Sequence, residues 1–259
     1  MTDLFSGPEM KVSRAKRHIG ELALKTTAFL ARRPFALIVE EPPGAPDYLH
    51  CHIWKVHIRQ QMPAELPACV GDAIHNLRSA LDLLACDVVE YNGGNTIGVH
   101  FPFAADAVEL EKQIKSKNLR RASPEAVALI RTLKPYRGGN VDLRGLHDLD
   151  IHDKHKGPIA IINAVSTPPF GLKLGERVNQ IPAWDSAIKD GQWLMMLPAC
   201  DNIPLGTEIP SAFRFAFSNG TPFPGHEVVP TLHRLAEHVA GIVKAFKTLC
   251  LGDESGRAA

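Results

Sequence analysis

Residues 66–91 read LPACVGDAIHNLRSALDLLACDVVEY, and the spacing of their apolar side chains decides the fold. Ile74, Leu77, Leu81, Leu84 and Val88 recur every three or four positions, the period of a helix with one buried face. Asn92-Gly93-Gly94 then stops the helix, because glycine readily takes the left-handed turn that closes the last carbonyls. A helix of this length and stripe is read as the centre of the molecule. It also carries His75, Arg78 and Asp82 in one angular sector, with Ser79 and Cys86 beside them. That stripe is either a solvated face or the lining of a cleft. Leu83 lies on the same polar side and suggests a second packing surface rather than open water.

Outward toward the N-terminus, residues 8–31 hold Ala15, Ile19, Leu22, Thr26 and Phe29 at helical spacing, ending before Pro34. Phe35–Val39 and Leu49–Ile58 are β-rich runs on either side of EEPPGAPD, whose Pro and Gly residues mark a connection, so the pair is read as a hairpin with a long loop. Toward the C-terminus comes a short polar helix near 105–118. Ser123-Pro124-Glu125 then opens another with a capping hydroxyl and a proline suited to the first turn. A further helix over 141–156 is closed by Gly157-Pro158. Strands are expected at Ile159–Val165, Phe170–Leu174, Gln192–Leu197 and Ser211–Ser218. A last helix at about 228–250 spaces Leu232, Leu235, Val239, Ile242, Phe246 and Leu249 by threes and fours. The sequence therefore predicts an α+β protein with a helical core of N-terminal, central and C-terminal helices and antiparallel strands. A single domain is expected over 1–251, with a frayed tail at 252–259.

Composition sets outer bounds. The chain has 259 residues, 45% hydrophobic and 22% charged, enough to bury a sizeable core. Its 29 basic and 28 acidic residues leave a formal charge of +1, so no whole-molecule field recruits nucleic acid. Five cysteines, odd in number and without a CxxC pair, are read as reduced thiols in a cytoplasmic protein. No apolar run approaches the roughly 18 to 20 residues that span a bilayer, so no membrane partner is expected.

The segment 143–156, LRGLHDLDIHDKHK, gives the stronger functional hint. Leu143, Leu146 and Leu149 share their sector with Asp150 and Asp153, so both carboxylates are expected to point inward. An isolated buried charge is costly enough that it would take up a proton instead, so a partner is required. His75 and Arg78 on the central helix are the candidates. The pair is either an inter-helical salt bridge that fixes register or part of a functional site.

The two segments together resemble an uncharacterised bacterial family whose usual form is GDxxHNLRSALDHL followed by an LHxLDxxDKHR-like stretch. The resemblance extends to FPF at 101–103, LKPY at 133–136 and VVPTL at the start of the last helix, and by itself implies no activity. A more distant resemblance is to HEPN-type helical domains, many of which are metal-independent ribonucleases with an Arg-x4-6-His motif on a helix. In this sequence the histidine position is Leu83, and leucine cannot move a proton. For RNA cleavage His75, His147 or His155 would have to take that role. The candidate polar site is therefore His75, Arg78, Asp82, Asp150, Asp153 and His155. The resemblance otherwise implies a HEPN-like scaffold for binding or regulation.

A metal-dependent enzyme built on the Asp/His cluster at 147–155 is a further alternative, with Asp148 and His152 as weak ligand candidates. Asp148, His152 and His155 share a face, but two turns, roughly 10 Å, separate the first from the last. Metal sites of zinc or iron need three or four ligands. No cofactor is implied, since GxSxG, GxxxxGK[ST] and a strand followed by GxGxxG are all absent from the sequence. Lys112, Lys115, Lys117, Arg120 and Arg121 form the densest basic patch, which admits RNA as a partner. A homo-oligomer is admitted as well.

Overall fold

The central helix, α2 (Glu65–Tyr91), is buried over most of its circumference, from Leu66 and Val70 through Ile74, Leu77, Leu81 and Leu84 to Val88. A helix can be covered on several sides only if other helices pack around it, and three do in this computed structural model. The structure describes residues 3–44, 51–156, 161–167, 169–174, 176–181, 184–199 and 203–252. Residues 45–50 of the expected hairpin, the Gly157-Pro158 stop, residues 159–160 of the strand expected after it and residues 253–259 of the expected tail lie outside the described residues.

Helix α1 (Ser6–Ala31) runs antiparallel to α2. The Phe5 N–H donates to Asp87 Oδ2 at 2.9 Å at one end, and Lys25 Nζ approaches Cys69 Sγ at 3.8 Å toward the other. Helix α6 (Val228–Leu251) runs antiparallel to α1, tied by Lys16–Glu237 at 2.7 Å and Lys247–Glu9 at 3.0 Å. The terminal helices thus pack on each other as well as on α2, which forms the helical core expected from the N-terminal, central and C-terminal helices. The fourth helix of the group, α5 (Val141–Lys156), lies against α2 and α6.

Between them, α3 (Ala107–Ser116) is capped by Asp106, which accepts from the Glu109 N–H, and α4 (Pro124–Leu133) by Ser123, which accepts from the Ala126 N–H. A side-chain oxygen at the cap satisfies one of the amides left without an intrahelical partner. A single 3-10 turn at Leu119–Arg121 joins the two helices.

Strands β1 (Phe35–Glu40) and β2 (Cys51–Ile58) form the expected antiparallel hairpin, with Phe35 opposite Ile58 and Glu40 opposite Ile53. Strand β7 (Trp193–Pro198) adds to β2. The outer edge of β1 is covered by residues 206–209, where the Gly206 and Ile209 N–H groups donate to Val39 O and Leu37 O, both at 2.8 Å. A second sheet has the order β6 (Trp184–Ala187), β3 (Ile161–Thr167), β8 (Ala212–Phe217), and β4 (Phe170–Leu174) pairs with β5 (Arg177–Ile181). An aromatic cluster joins sheets to helices: Phe29 of α1 lies 6.0 Å from Phe215 of β8, and Phe35 of β1 lies 5.4 Å from Phe213. The result is an α+β fold with one continuous apolar core. Among the described residues no helix is long and apolar enough to cross a membrane.

One residue fixes how the loop before α6 meets α5. A Cβ on Gly145 would lie 2.2 Å from the Phe223 ring, which is itself buried, so the ring rests directly on the helix backbone. Gly145→Ala should therefore destabilise the protein by about 1–3 kcal/mol through overpacking, despite the higher helix propensity of alanine. Denaturant unfolding of the variant measures this; a neutral or stabilising effect would mean that Phe223 yields freely.

Candidate functional site

The polar seam lies where α2 and α5 cross in antiparallel fashion, Gly71 facing Asp153 and His75 facing Asp150. Close approach at its first point depends on glycine, since a Cβ at residue 71 would be 2.7 Å from both oxygens of Asp153. Leu143, Leu146 and Leu149 are buried on the inward face of α5, and Asp150 is buried with them at 4% exposure. Its two oxygens are separately engaged: Oδ1 lies 3.4 Å from His75 Nδ1, and Oδ2 accepts from Lys154 Nζ at 2.7 Å one turn along. Both partners keep contact with solvent, His75 with 51% of its side chain exposed. A buried carboxylate is thus held by two groups at the rim, which is how such a charge is tolerated.

Arg78 is buried at 9% exposure and pairs within its own helix. Its Nη1 lies 2.7 Å from Asp82 Oδ1 but out of line for a hydrogen bond, so the contact is an ion pair without a directional donor. Its guanidinium carbon sits 4.6 Å over the Phe103 ring. Phe103 in turn stacks on His147 of α5, with centroids 4.3 Å apart and planes 3° from parallel. Asp82 also accepts the Phe101 N–H at 2.9 Å, and His100 Nδ1 lies 3.8 Å from the same carboxylate. The segment FPF at 101–103 is therefore clamped between the helices: its backbone is held by Asp82, and Phe103 fills the gap between Arg78 and His147.

The expected contact between the two helices is made by His75 with Asp150, while Arg78, the other candidate partner, pairs with Asp82 instead. Asp153 is half-buried against Gly71, and burial, then the neighbouring carboxylates of Asp150 and Asp72, push its pKa above the ordinary carboxylate range. His155 is exposed at the far end of α5, about eight residues or roughly 12 Å along the helix from the His147 level where Arg78 sits. Leu83 is 37% exposed and faces α1, where a Cβ on Gly7 would meet it at 3.6 Å. Five residues carry it about 140° around the helix from Arg78.

Of the weak metal candidates, Asp148 is gripped at both oxygens by the Arg144 fork, with Arg137 at 3.9 Å. His152 lines a cleft with Arg137, Arg144, Asp148 and Thr221. Among the described residues no three His, Cys, Asp or Glu side chains converge as a metal ligand set.

Sequence reasoning named His147 only as a possible substitute for the absent histidine and did not foresee its burial under Phe103. Burial, then the positive charges of Arg78 and Arg144, lower its pKa from the ordinary 6.5 to about 4, and its Nδ1 is buried without a hydrogen-bond partner. It also missed a second network. Asn140, which caps α5 by accepting the Leu143 N–H, lies 3.3 Å from His238, and Asp142 bridges to Arg234 at 3.0 Å and His238 at 3.6 Å. The Asn140-to-Leu143 spacing is a readable cap signal, but its α6 partners are distant in sequence.

Fold and site together define an α+β protein whose helical core encloses a charge-and-aromatic seam between two antiparallel helices. Comparison with protein-family models, with curated protein sequences and with solved structures found no match to this chain.

Two outcomes are expected. Arg78→Ala should cost about 2–3 kcal/mol, below the roughly 3–5 kcal/mol of a fully buried pair because Asp82 keeps a third of its side chain in solvent. Asp153→Asn should stay within about 0.5 kcal/mol of wild type, because the fold already disfavours its charge. Equilibrium unfolding of both variants checks the contrast, and equal losses would contradict it.

The second outcome concerns pH. His147 stays neutral in the folded protein while the unfolded chain titrates at the ordinary 6.5, so the unfolded state binds the extra proton between pH 6.5 and about 4. Stability from this group is intact above 6.5 and falls as pH drops toward 4. Because the ring is partly solvated, the loss should be about 1–2 kcal/mol. Unfolding followed from pH 7 to 4 should decline less steeply in His147→Gln than in wild type; parallel curves would contradict the assignment.

Proposed function

We propose that this protein is a HEPN-like helical scaffold for binding or regulation in which Arg78 is a structural residue rather than an RNA-cleaving one. The observation that carries this reading is the environment of Arg78: buried, ion-paired with Asp82 and stacked over Phe103. Metal-independent cleavage of RNA needs a proton-transfer group at the 2′-hydroxyl and a cation free to meet the phosphate. Arg78 has both its charge and its face occupied. The nearest histidine ring in its stack, His147, is half-buried and titrates well below neutrality. Leu83 faces α1, so a histidine introduced there would not meet Arg78.

RNA as the bound partner rests on the basic patch of α3 and the following turn. Lys112 is paired with Glu109 at 3.0 Å, and Arg121 donates to Asn95 O and Ile97 O. Exposed Lys115 and Arg120, with half-buried Lys117, remain as the cations facing solvent. Such a patch favours weak, salt-dependent contact with phosphates. Free thiols at Cys51, Cys69, Cys86 and Cys250 support a reducing, cytoplasmic setting.

The test is incubation with single-stranded and structured RNA in chelator. Neither the natural chain nor Leu83→His should cleave. Robust cleavage by the natural chain, abolished by Arg78→Lys or His147→Gln, would replace the scaffold reading with that of a ribonuclease.

A further inference from the structure

The polar seam carries one arrangement that RNA chemistry does not use. His75 is held between two oxygens on opposite sides of its ring: Nδ1 lies 3.4 Å from Asp150 Oδ1, and Nε2 lies 3.5 Å from Ser79 Oγ. Ser79 and His75 are one turn apart on α2, and Asp150 comes from α5. The carboxylate is buried, the imidazole is half in solvent, and the hydroxyl is partly exposed. This order of groups, hydroxyl to Nε2 and Nδ1 to buried carboxylate, is the logic of an activated serine. With its Nδ1–H directed to Asp150, the ring presents its Nε2 lone pair to Ser79. The separations are loose, as is common for catalytic hydrogen bonds before substrate binds.

We propose that Ser79 is a nucleophile toward activated acyl groups, with His75 as its general base and Asp150 as the positioning residue for His75. This stands apart from the reading of Arg78 and adds an activity to the scaffold. The Ser79 Oγ forms a bond to the acyl carbon as its proton passes to His75 Nε2. The bond from that carbon to the leaving oxygen or sulfur then breaks, and the leaving group takes the proton from Nε2. Water attacks the acyl-serine with His75 again accepting a proton, the acid departs, and Ser79 recovers its hydrogen.

The substrate class follows from what surrounds the serine. Ser79 lies inside α2, where backbone N–H groups are already paired along the helix, so they cannot form a backbone oxyanion hole. The nearby cation is Lys154, held on the other oxygen of Asp150. A site without preorganised amide donors acts on esters and thioesters with good leaving groups, not on amides. The exposed position of His75 favours acyl groups presented at the surface rather than in a deep pocket.

The experiment uses the full-length protein with p-nitrophenyl acetate and, separately, a fluorophosphonate probe, followed by peptide mass spectrometry. Ser79 should carry the label, and acylation should fall by about 100-fold or more in Ser79→Ala and His75→Gln, the contribution of a lost nucleophile or base. Ser79→Ala places a good helix former on a partly exposed face, so circular dichroism should show it folded. Asp150→Asn should slow acylation and shift His75 from the Nδ1–H toward the Nε2–H tautomer, read by nitrogen NMR of the imidazole. Absence of label on Ser79 in folded wild type, or wild-type acylation by Ser79→Ala with the acyl group on His75, would overturn the proposal.

Discussion

Two helices of this protein carry charges on faces that must be buried, and the way those charges are neutralised sets the rest of the structure. Asp150 is held by one group across the helix interface and one along its own helix. Arg78 is held by a carboxylate within its helix and by an aromatic ring from outside it. Removing either partner of such a pair leaves a charge in surroundings that cannot solvate it, so α2 and α5 have one register in which all of them are met. Gly71 permits that register by letting the Asp153 carboxylate rest on the α2 backbone.

From this seam the constraint passes outward. Phe103 reaches the seam because Asp82 accepts the Phe101 amide, and it ties the chain between α2 and α3 to α5 through its stack on His147. Arg144 extends the same fastening, gripping Asp148 while donating to Ala104 O at 3.0 Å. On the other side of α5, Asp142 and Asn140 connect to Arg234 and His238 of α6, and Phe223 sits on Gly145. Helix α5 has little apolar surface beyond its leucines, so its placement depends on these polar and aromatic contacts as much as on burial.

The helices were legible because their punctuation is local: Ser123-Pro124 at a start, Asn92-Gly93 at a stop, and leucines three and four apart between. The inward direction of Asp150 was legible from its sector alone. Strands β5 and β6 were not, since RVNQI and WDSA lack apolar alternation and take their conformation from β4 and β3 beside them. Which cation meets which carboxylate was also beyond the pattern. Opposite charge alone lets either Arg78 or His75 meet Asp150 or Asp153, but Asp82 is one turn from Arg78 on the same helix and Phe103 offers a face that suits a planar guanidinium. His147 looks like one member of a histidine-rich surface run; only the ring of Phe103, distant in sequence, shows that it is part of the interior.

The central claim is that Arg78, through Phe103, couples α2 to α5. A double-mutant cycle between Arg78→Met and Phe103→Leu, measured by equilibrium unfolding, tests it most directly, because it isolates the contact from the effect of each substitution alone. A coupling energy of about 1 kcal/mol or more is expected for a desolvated guanidinium over a ring. Additive single-variant losses, with coupling near zero, would contradict the account and leave the seam as two unrelated sets of charges.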